Sequence, residues 1–143
     1  MNEHTFTAAF RKKLPADIYW WKINDNFAGG VPDAFLEGTN RDLWIEFKYI
    51  KALPKRPDTL IDLTNQKYLS KLQQKWLKRR EAKRGDTLVC VGCPQGVALF
   101  WENSWDTPMP AKAFHAMCHP NIENSIIDIA HFCNKIPTLV TKN

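Results

Sequence analysis

The chain has 143 residues, a length typical of a single domain that can bury a hydrophobic core without disulfides or structural metals. No stretch is long and apolar enough to span a membrane, and the N-terminus lacks the pattern of a signal peptide. We therefore expect a cytoplasmic protein without a membrane partner. The net charge of +5 is modest, so the positions of the basic residues are more informative than their number.

Hydrophobic periodicity and turn residues predict an alternation of helices and strands. In chain order these are a helix near residues 3–14, strands over 18–23, 34–36 and 43–47, a helix over 70–83, strands over 88–91 and 97–101, and a helix over 122–133. Strand, helix and strand in that order favour an α/β fold with a mixed sheet. We expect one domain over 1–143, with a core near 3–101 and a helical C-terminal extension near 102–143.

The C-terminal segment IENSIIDIAHFC has helical periodicity. The residues that carry the periodicity are Ile122, Ile126, Ile127, Ala130, Phe132 and Cys133. Such a helix would either cover the sheet or join two subunits.

Two neighbouring predicted strands carry charged side chains. Asp33 follows Pro32 at the start of the first strand, and Glu46 and Lys48 lie inside the second, in LWIEFK. Because successive side chains of a strand point to opposite faces, Glu46 and Lys48 are neighbours on one face. A solvent-facing sheet surface would explain that pair alone. Asp33, placed at the edge of the adjacent strand after a tight glycine turn, favours convergence of two carboxylates and one ammonium.

Such a cluster suits a hard divalent cation. Carboxylate oxygens supply the charge, and a backbone carbonyl, waters and a phosphate oxygen complete the shell. Metal-bound water is then a usable nucleophile, and a nearby lysine can orient it or stabilise charge that develops on phosphorus. We therefore expect Mg²⁺ or Mn²⁺ as the cofactor and no organic cofactor.

The ordered set Pro32-Asp33 and Glu46-Phe47-Lys48 resembles the PD-(D/E)xK motif of phosphodiesterases. The segments KINDNFAGGVPDAFLEG, LWIEFK and LSKLQQKWL resemble the VRR-NUC (virus-type replication-repair nuclease) branch, which is similar to the Holliday-junction resolvases. The resemblance covers roughly residues 3–100. It implies a restriction-endonuclease-like core, with a mixed β-sheet flanked by helices. It also implies a metal-dependent DNA endonuclease, selective for branched or junction DNA, that works as a homodimer.

The resemblance also implies roles for individual residues. Asp33 and Glu46 would be metal ligands, the backbone carbonyl of Phe47 a further ligand, and Lys48 the catalytic lysine. The family places an acidic residue on its first helix, and Glu3 is the only carboxylate that can take that place. The alternative role for Glu3 is to stabilise the helix N-terminus through the macrodipole.

The second predicted helix has an apolar stripe that would pack on the sheet, formed by Leu69, Leu72, Trp76 and Leu77. A glutamine, Gln73, falls within this stripe. Two roles are open for Gln73. Ser70 and Gln73 fit an S-x-x-Q capping box, in which the glutamine bonds back to the N-cap amide. The resemblance instead implies a catalytic glutamine that faces the metal cluster and positions water or substrate, with Gln74 as the second choice.

Basic residues are concentrated around these segments. The predicted nucleic-acid contacts are Lys22, Lys51, Lys55, Arg56, Lys71 and Lys75. A solvated helix face would explain many such residues, whereas beside a metal cluster they would attract DNA phosphates. Phosphate contacts carry no sequence information, so a structure-selective nuclease is favoured. The alternative is a non-catalytic DNA-binding module, which the simultaneous presence of Asp33, Glu46 and Lys48 disfavours.

The cysteines allow one further alternative. Cys90 and Cys93 form a C-x-x-C, and four possible metal ligands lie downstream, so a structural zinc site is conceivable: Cys118, His119, His131 and Cys133. However, Cys90 lies in TLVCVG, which is typical of a buried strand, and the downstream residues lack regular pair spacing. Buried thiols are therefore the favoured interpretation, and a redox pair has less support.

Overall fold

The computed structural model describes residues 1–24 and 29–134. The main sheet contains β1 (Tyr19–Lys22), β2 (Ala34–Glu37), β3 (Asp42–Tyr49), β5 (Thr87–Cys93) and β6 (Gly96–Trp101), in the spatial order β1-β2-β3-β5-β6. A small second sheet pairs β4 (Leu60–Ile61) with β7 (Met109–Pro110). The helices are α1 (Glu3–Lys12), α2 (Lys71–Arg84), α3 (Ala111–Met117) and α4 (Ile122–Asn134). The predicted α/β fold, a mixed sheet flanked by helices, is confirmed.

Strands β3 and β5 are parallel, whereas the other neighbours in the main sheet are antiparallel. A parallel pair requires a crossover, which α2 and the loop before it supply. Helix α2 begins after Ser70, as predicted, and ends at Gly85, whose left-handed conformation has φ 61° and whose N–H donates to the carbonyl of Glu81. Local capping thus sets both ends of the helix that packs beside β3.

The sheet separates two hydrophobic clusters. Residues of α1 and α4, among them Phe6, Phe10 and Ile129, pack on one face around Phe47 of β3. Residues of α2 and α3, with the loop between β3 and α2, pack on the other face. Helix α4 therefore covers the sheet, which was one of its two predicted roles. In the described part of the chain, no helix is long and apolar enough to cross a membrane.

Two apolar residues assigned to buried stripes by periodicity are exposed. Leu72 is 56% exposed, although Leu69 and Leu77 of the same stripe are buried. The buried face of α2 is centred near Gln73 and Leu77, and Leu72 lies about 100° around the helix from Gln73. Ile127 of α4 is 64% exposed because the buried face of that helix passes through Ile126 and Ile129. The prediction that Leu72 packs on the sheet is therefore wrong.

Candidate active site

A glycine turn leads to Asp33, which lies at the start of β2 between the segments of β1 and β3. Gly29 and Gly30 have φ values of 73° and 79°, a region that side chains rarely permit. A Cβ on Gly30 would lie 2.5 Å from the carbonyl oxygen of Leu72. Only glycine therefore allows this loop to approach the first turn of α2, and the approach places Asp33 beside the helix that carries Gln73.

The side chain of Asp33 takes over a backbone bond where β2 begins. The β2–β3 ladder starts with Ala34 opposite Ile45. Two residues beyond Ile45, the N–H of Phe47 donates to Oδ2 of Asp33 at 2.9 Å. The N–H and the carbonyl of one strand residue point toward the same edge of the strand. The carbonyl of Phe47 is therefore directed to the edge of β3 on which Asp33 lies.

Glu46 is the most unusual residue of the sheet, because it is a carboxylate only 1% exposed. Its Oε2 accepts a hydrogen bond from Nε2 of Gln73 at 3.0 Å and lies 3.3 Å from Nζ of Lys48. Its Oε1 has no hydrogen-bond partner among the described residues. A buried oxygen without a partner is costly, so this atom marks a place where a ligand would be stabilising.

The electrostatics of the site oppose ionisation of both Asp33 and Glu46. Burial raises the pKa of Glu46 to about 8; the negative charge of Asp33 adds to the rise and Lys48 opposes it. Burial also raises the pKa of Asp33, while the hydrogen bond from Phe47 and the charge of Lys48 lower it. The Glu46 side chain also contributes to lowering the pKa of Asp33. The pair therefore favours holding a proton or a cation between its members.

Glu3 borders the same site from α1. Burial raises the pKa of Glu3; the charge of Lys48 opposes this rise and that of Asp33 adds to it. The N-terminus of α1 already has a capping box formed by Asn2 and Thr5, and Glu3 lies in its first turn. Its position therefore fits both predicted roles, interaction with the helix terminus and proximity to the other carboxylates.

The acidic side chains alone do not make a metal site. In residues 1–24 and 29–134, no group of three or more His, Cys, Asp or Glu side chains has the geometry to hold a metal ion. The oxygen atoms that could hold a cation are those of Asp33 and Glu46, including the partnerless Oε1 of Glu46, and the backbone carbonyl of Phe47. Such oxygen donors fit a hard cation that keeps several waters, as Mg²⁺ does in nuclease and polymerase sites.

Gln73 forms the predicted capping box, and its side chain also contacts Glu46. Its Oε1 accepts from the N–H of Ser70 at 2.9 Å, and Oγ of Ser70 accepts from the N–H of Gln73 at 3.1 Å. The same side chain donates through Nε2 to Glu46. The capping box thus fixes the amide that holds Glu46. Gln74 instead donates to the carbonyls of Thr64 and Leu69, and so secures the preceding loop.

A cavity of about 660 Å³ opens beside Glu3 and Asp33. Glu3, Thr7 and Arg11, spaced four residues apart on α1, line it together with Lys22. Lys22 is a predicted nucleic-acid contact, whereas Arg11 was not predicted. Its spacing of eight residues from Glu3, two steps of four along one helix face, is the signal that could have placed it beside Glu3.

The other predicted nucleic-acid contacts lie elsewhere. Lys71 and Lys75 are exposed and line a separate cavity of about 480 Å³. Lys51, Lys55 and Arg56 are exposed on the loop after β3. The six predicted basic residues therefore lie in three separate places. Lys22 lines the cavity that Glu3 and Asp33 also line.

The C-x-x-C does not form a paired site. Residues three apart in a strand point to opposite faces, and Cys90 and Cys93 accordingly belong to different hydrophobic clusters. Cys133 is buried with Cys90 in the first cluster. The conceivable zinc site at Cys90 and Cys93 is therefore absent from the described part of the chain.

No protein-family model matches the sequence, and no curated protein is significantly similar to it. The structure is similar to that of Archaeoglobus fulgidus Hjc, a Holliday junction resolvase from an archaeal hyperthermophile. The TM-score is 0.51 and the sequence identity 14%, over 87% of this chain and 96% of that chain. The chain has the resolvase nuclease-like fold. Because the likeness spans nearly all of both chains, it confirms the predicted fold class.

Proposed function

We propose that this protein is a divalent-metal-dependent DNA endonuclease that is selective for DNA structure, in particular branched or junction DNA. The observation that carries the proposal is the buried carboxylate of Glu46. Its Oε2 contacts Lys48 and Gln73, its Oε1 has no partner among the described residues, and its charge interacts with that of Asp33. The resolvase fold supports the same function. A merely structural strand would have no need of this group.

The proposed ligands of Mg²⁺ or Mn²⁺ are Asp33, Glu46 and the carbonyl of Phe47, with Glu3 as a further carboxylate at the border of the site. When bound, the cation would lower the pKa of a water and stabilise charge on the phosphate. Its positive charge would also relieve the repulsion between Asp33 and Glu46 that raises the pKa of Glu46.

Lys48 and Gln73 would act on the phosphate and on Glu46 respectively. The side chain of Lys48 is 13% exposed, and its Nζ is held 3.3 Å from Oε2 of Glu46, so it can reach a phosphate without a large movement. Gln73, fixed by its capping box, would keep the Glu46 carboxylate in one orientation. Both functions depend on atoms that the fold has already positioned.

DNA would be bound through its phosphates. Lys22 and Arg11 line the cavity next to Asp33 and would contact the backbone closest to the scissile bond. The exposed residues of α2 and of the loop after β3 would contact more distant phosphates: Lys71, Lys75, Lys51, Lys55 and Arg56. Such contacts depend on the path of the backbone rather than on base sequence, in agreement with structural selectivity.

A homodimer is part of the proposal, and a partly exposed aromatic row supports it. Trp21 lies opposite Phe35 and Phe35 opposite Trp44, and Trp44 contacts Trp76 of α2 with ring centroids 5.1 Å apart. Trp21 is 50% exposed, and the exposed Leu72 lies one turn before Trp76. An apolar surface of this kind is typical of a protein contact. A second copy of the chain would bury it.

The proposal is tested by incubating purified protein with labelled linear duplex, single strand, flap and four-way junction in Mg²⁺, Mn²⁺ or EDTA. Glu46→Ala and Lys48→Ala are assayed in parallel. We expect metal-dependent cleavage, fastest on a branched substrate and lost in both variants. Salt-sensitive DNA binding without cleavage of any substrate would contradict the proposal and favour the binding module.

A further inference from the structure

Two cysteines that are distant in sequence lie next to each other in the structure. Sγ of Cys93, at the end of β5, is 3.8 Å from Sγ of Cys118, the residue that follows α3. Neither position belongs to the candidate active site. We infer that Cys93 and Cys118 are a redox-active dithiol that forms a reversible disulfide when a peroxide reaches it. The inference is independent of the nuclease activity.

The backbone holds the two cysteines in register. The N–H of Val97 donates to the carbonyl of His119 at 2.9 Å, and the N–H of His119 donates to the carbonyl of Val97 at 2.8 Å. This bridge fastens the segment after Cys118 to β6, whose turn begins directly after Cys93. A Cβ on Gly96 would clash with the carbonyl oxygen of His119, so only glycine permits this approach. Closure to the S–S distance of about 2.0 Å therefore needs side-chain rotation and a small shift rather than a rearrangement.

The environment makes Cys93 the nucleophile of the pair. The hydrogen bond with Cys118 and the backbone N–H groups of Gln95 and Gly96 lower the pKa of Cys93 to about 7, although burial opposes them. The same interaction raises the pKa of Cys118. The thiolate is the reactive form of cysteine, so Cys93 reacts first. Cys93 is 6% exposed and Cys118 is half-buried, so the pair lies close to the surface.

The chemistry balances with one peroxide. The Cys93 thiolate attacks one oxygen of hydrogen peroxide, the S–O bond forms as the O–O bond breaks, and the hydroxide that leaves takes up a proton. The sulfur of Cys118 then attacks the sulfenic acid of Cys93; the S–S bond forms, the S–O bond breaks and a second water leaves. The two sulfurs together lose two electrons, which the peroxide accepts. An external thiol reverses the reaction by exchange.

The other two cysteines are not suited to this reaction. Cys90 and Cys133 are fully buried in the other hydrophobic cluster, and burial raises the pKa of both. They therefore provide matched controls.

The disulfide would tie the end of α3 to the main sheet. Helix α3 in turn binds the basic loop after β3, because the N–H of Ala111 donates to the carbonyl of Thr59 and that of Lys112 to the carbonyl of Pro57. Oxidation would thus fasten this loop more firmly.

The test is oxidation of the full-length reduced protein with hydrogen peroxide, followed by alkylation of free thiols, trypsin digestion and mass spectrometry. The tryptic peptides 85–112 and 113–135 contain two cysteines each, so variants must identify the pair. We expect a cross-link between these peptides in the wild type and in Cys90→Ala/Cys133→Ala, reversed by dithiothreitol. We expect none in Cys93→Ala or Cys118→Ala. A wild type without the cross-link, or a cross-link that survives Cys93→Ala, would overturn the inference.

Two further readouts distinguish the redox role from packing. In Cys118→Ala, dimedone should label Cys93 after peroxide treatment, because the sulfenic acid has no resolving thiol. The oxidised wild type should also unfold at a higher temperature than the reduced protein, and Cys118→Ala should show no such shift. Absence of the dimedone adduct, with circular dichroism showing a folded variant, would contradict the assignment of Cys93 as the attacking residue.

Discussion

Strands β3 and β5 lie side by side in parallel, and they differ in what they bury. Glu46 of β3 is opposite Val89 of β5, and Lys48 is opposite Val91. Val89 and Val91 of β5 are both buried and apolar, whereas β3 buries the carboxylate of Glu46 beside Val89. The sheet therefore accepts valine in this layer without difficulty. Burial of the Glu46 carboxyl group costs stability, and the fold does not require that group. Such a cost is expected of a functional residue.

The same comparison shows how the cost is limited. Lys48 and Gln73 contact Oε2 of Glu46, but Oε1 has no partner in the described part of the chain. Two of the three needs of a buried carboxylate, an opposite charge and a hydrogen-bond donor, are therefore met. A bound cation would satisfy the third by contacting the remaining oxygen.

The largest expected effect is the loss of cleavage in Glu46→Gln. The amide keeps the shape of the side chain but cannot bind the cation as an anion, so we expect cleavage to fall by at least about 100-fold. The metal-free variant should unfold at a higher temperature than the wild type, because the amide neither buries a charge nor takes up a proton on folding. Both quantities are measured beside Glu37→Gln, an exposed substitution in β2 whose amide oxygen can still accept from Trp21. A fully active Glu46→Gln would exclude Glu46 as a ligand.

The reverse substitution tests the neighbouring strand. In Val89→Glu a second carboxylate would be buried directly beside Glu46, without a lysine of its own. We expect a loss of more than about 3 kcal/mol in the free energy of unfolding, measured by urea denaturation. Val89→Ala, which removes volume without adding charge, should lose less. Equal losses in the two variants would mean that charge is tolerated throughout this layer.

The third effect is a dependence of stability on pH. Because the pKa of Glu46 is about 8 in the folded state and near 4.5 when exposed, the native state binds more protons between these values. The free energy of unfolding should therefore fall as the pH rises from about 4.5 to about 8, at about 1.4 kcal/mol for each unit of pKa difference. Urea denaturation in EDTA at both ends of the range should show a larger fall for the wild type than for Glu46→Gln. Parallel profiles would count against the burial of a charged Glu46.

The smallest effects separate the two roles of Gln73. Ser70→Ala removes one bond of the capping box and should cost about 1 kcal/mol of stability, with cleavage close to that of the wild type. Gln73→Ala also removes the bond to Glu46, so cleavage should fall by about 10-fold or more. Thermal unfolding and initial cleavage rates are compared for the two variants. Equal cleavage in both would confine Gln73 to a capping role.

Local patterns account for most of what the sequence predicts correctly. The two-residue period of β3 places Glu46 beside Lys48, and the capping box at Ser70 sets the start of α2. These features depend on neighbouring residues, so they can be read without knowledge of the tertiary structure. The grouping of Asp33 with Glu46 also follows, because their strands are adjacent in sequence.

Contacts between distant segments could not be predicted in this way. The entry of Glu3 into the site depends on how α1 packs on the sheet through Phe6 and Phe10. The two-residue strands β4 and β7 are too short for any periodicity. The C-x-x-C spacing suggested the wrong partner for Cys93, because its true neighbour, Cys118, is brought to it by a β-bridge that no local pattern encodes.

The most direct test of the cation site is a calorimetric titration of the purified protein with Mn²⁺ in the absence of DNA. Wild type, Asp33→Asn, Glu46→Gln and the control Glu37→Gln are compared at one pH. We predict saturable binding in the wild type and in Glu37→Gln, and weakening by at least about 10-fold in Asp33→Asn and Glu46→Gln. Equal binding by all four proteins, or binding by none, would contradict a cation site built on Asp33 and Glu46.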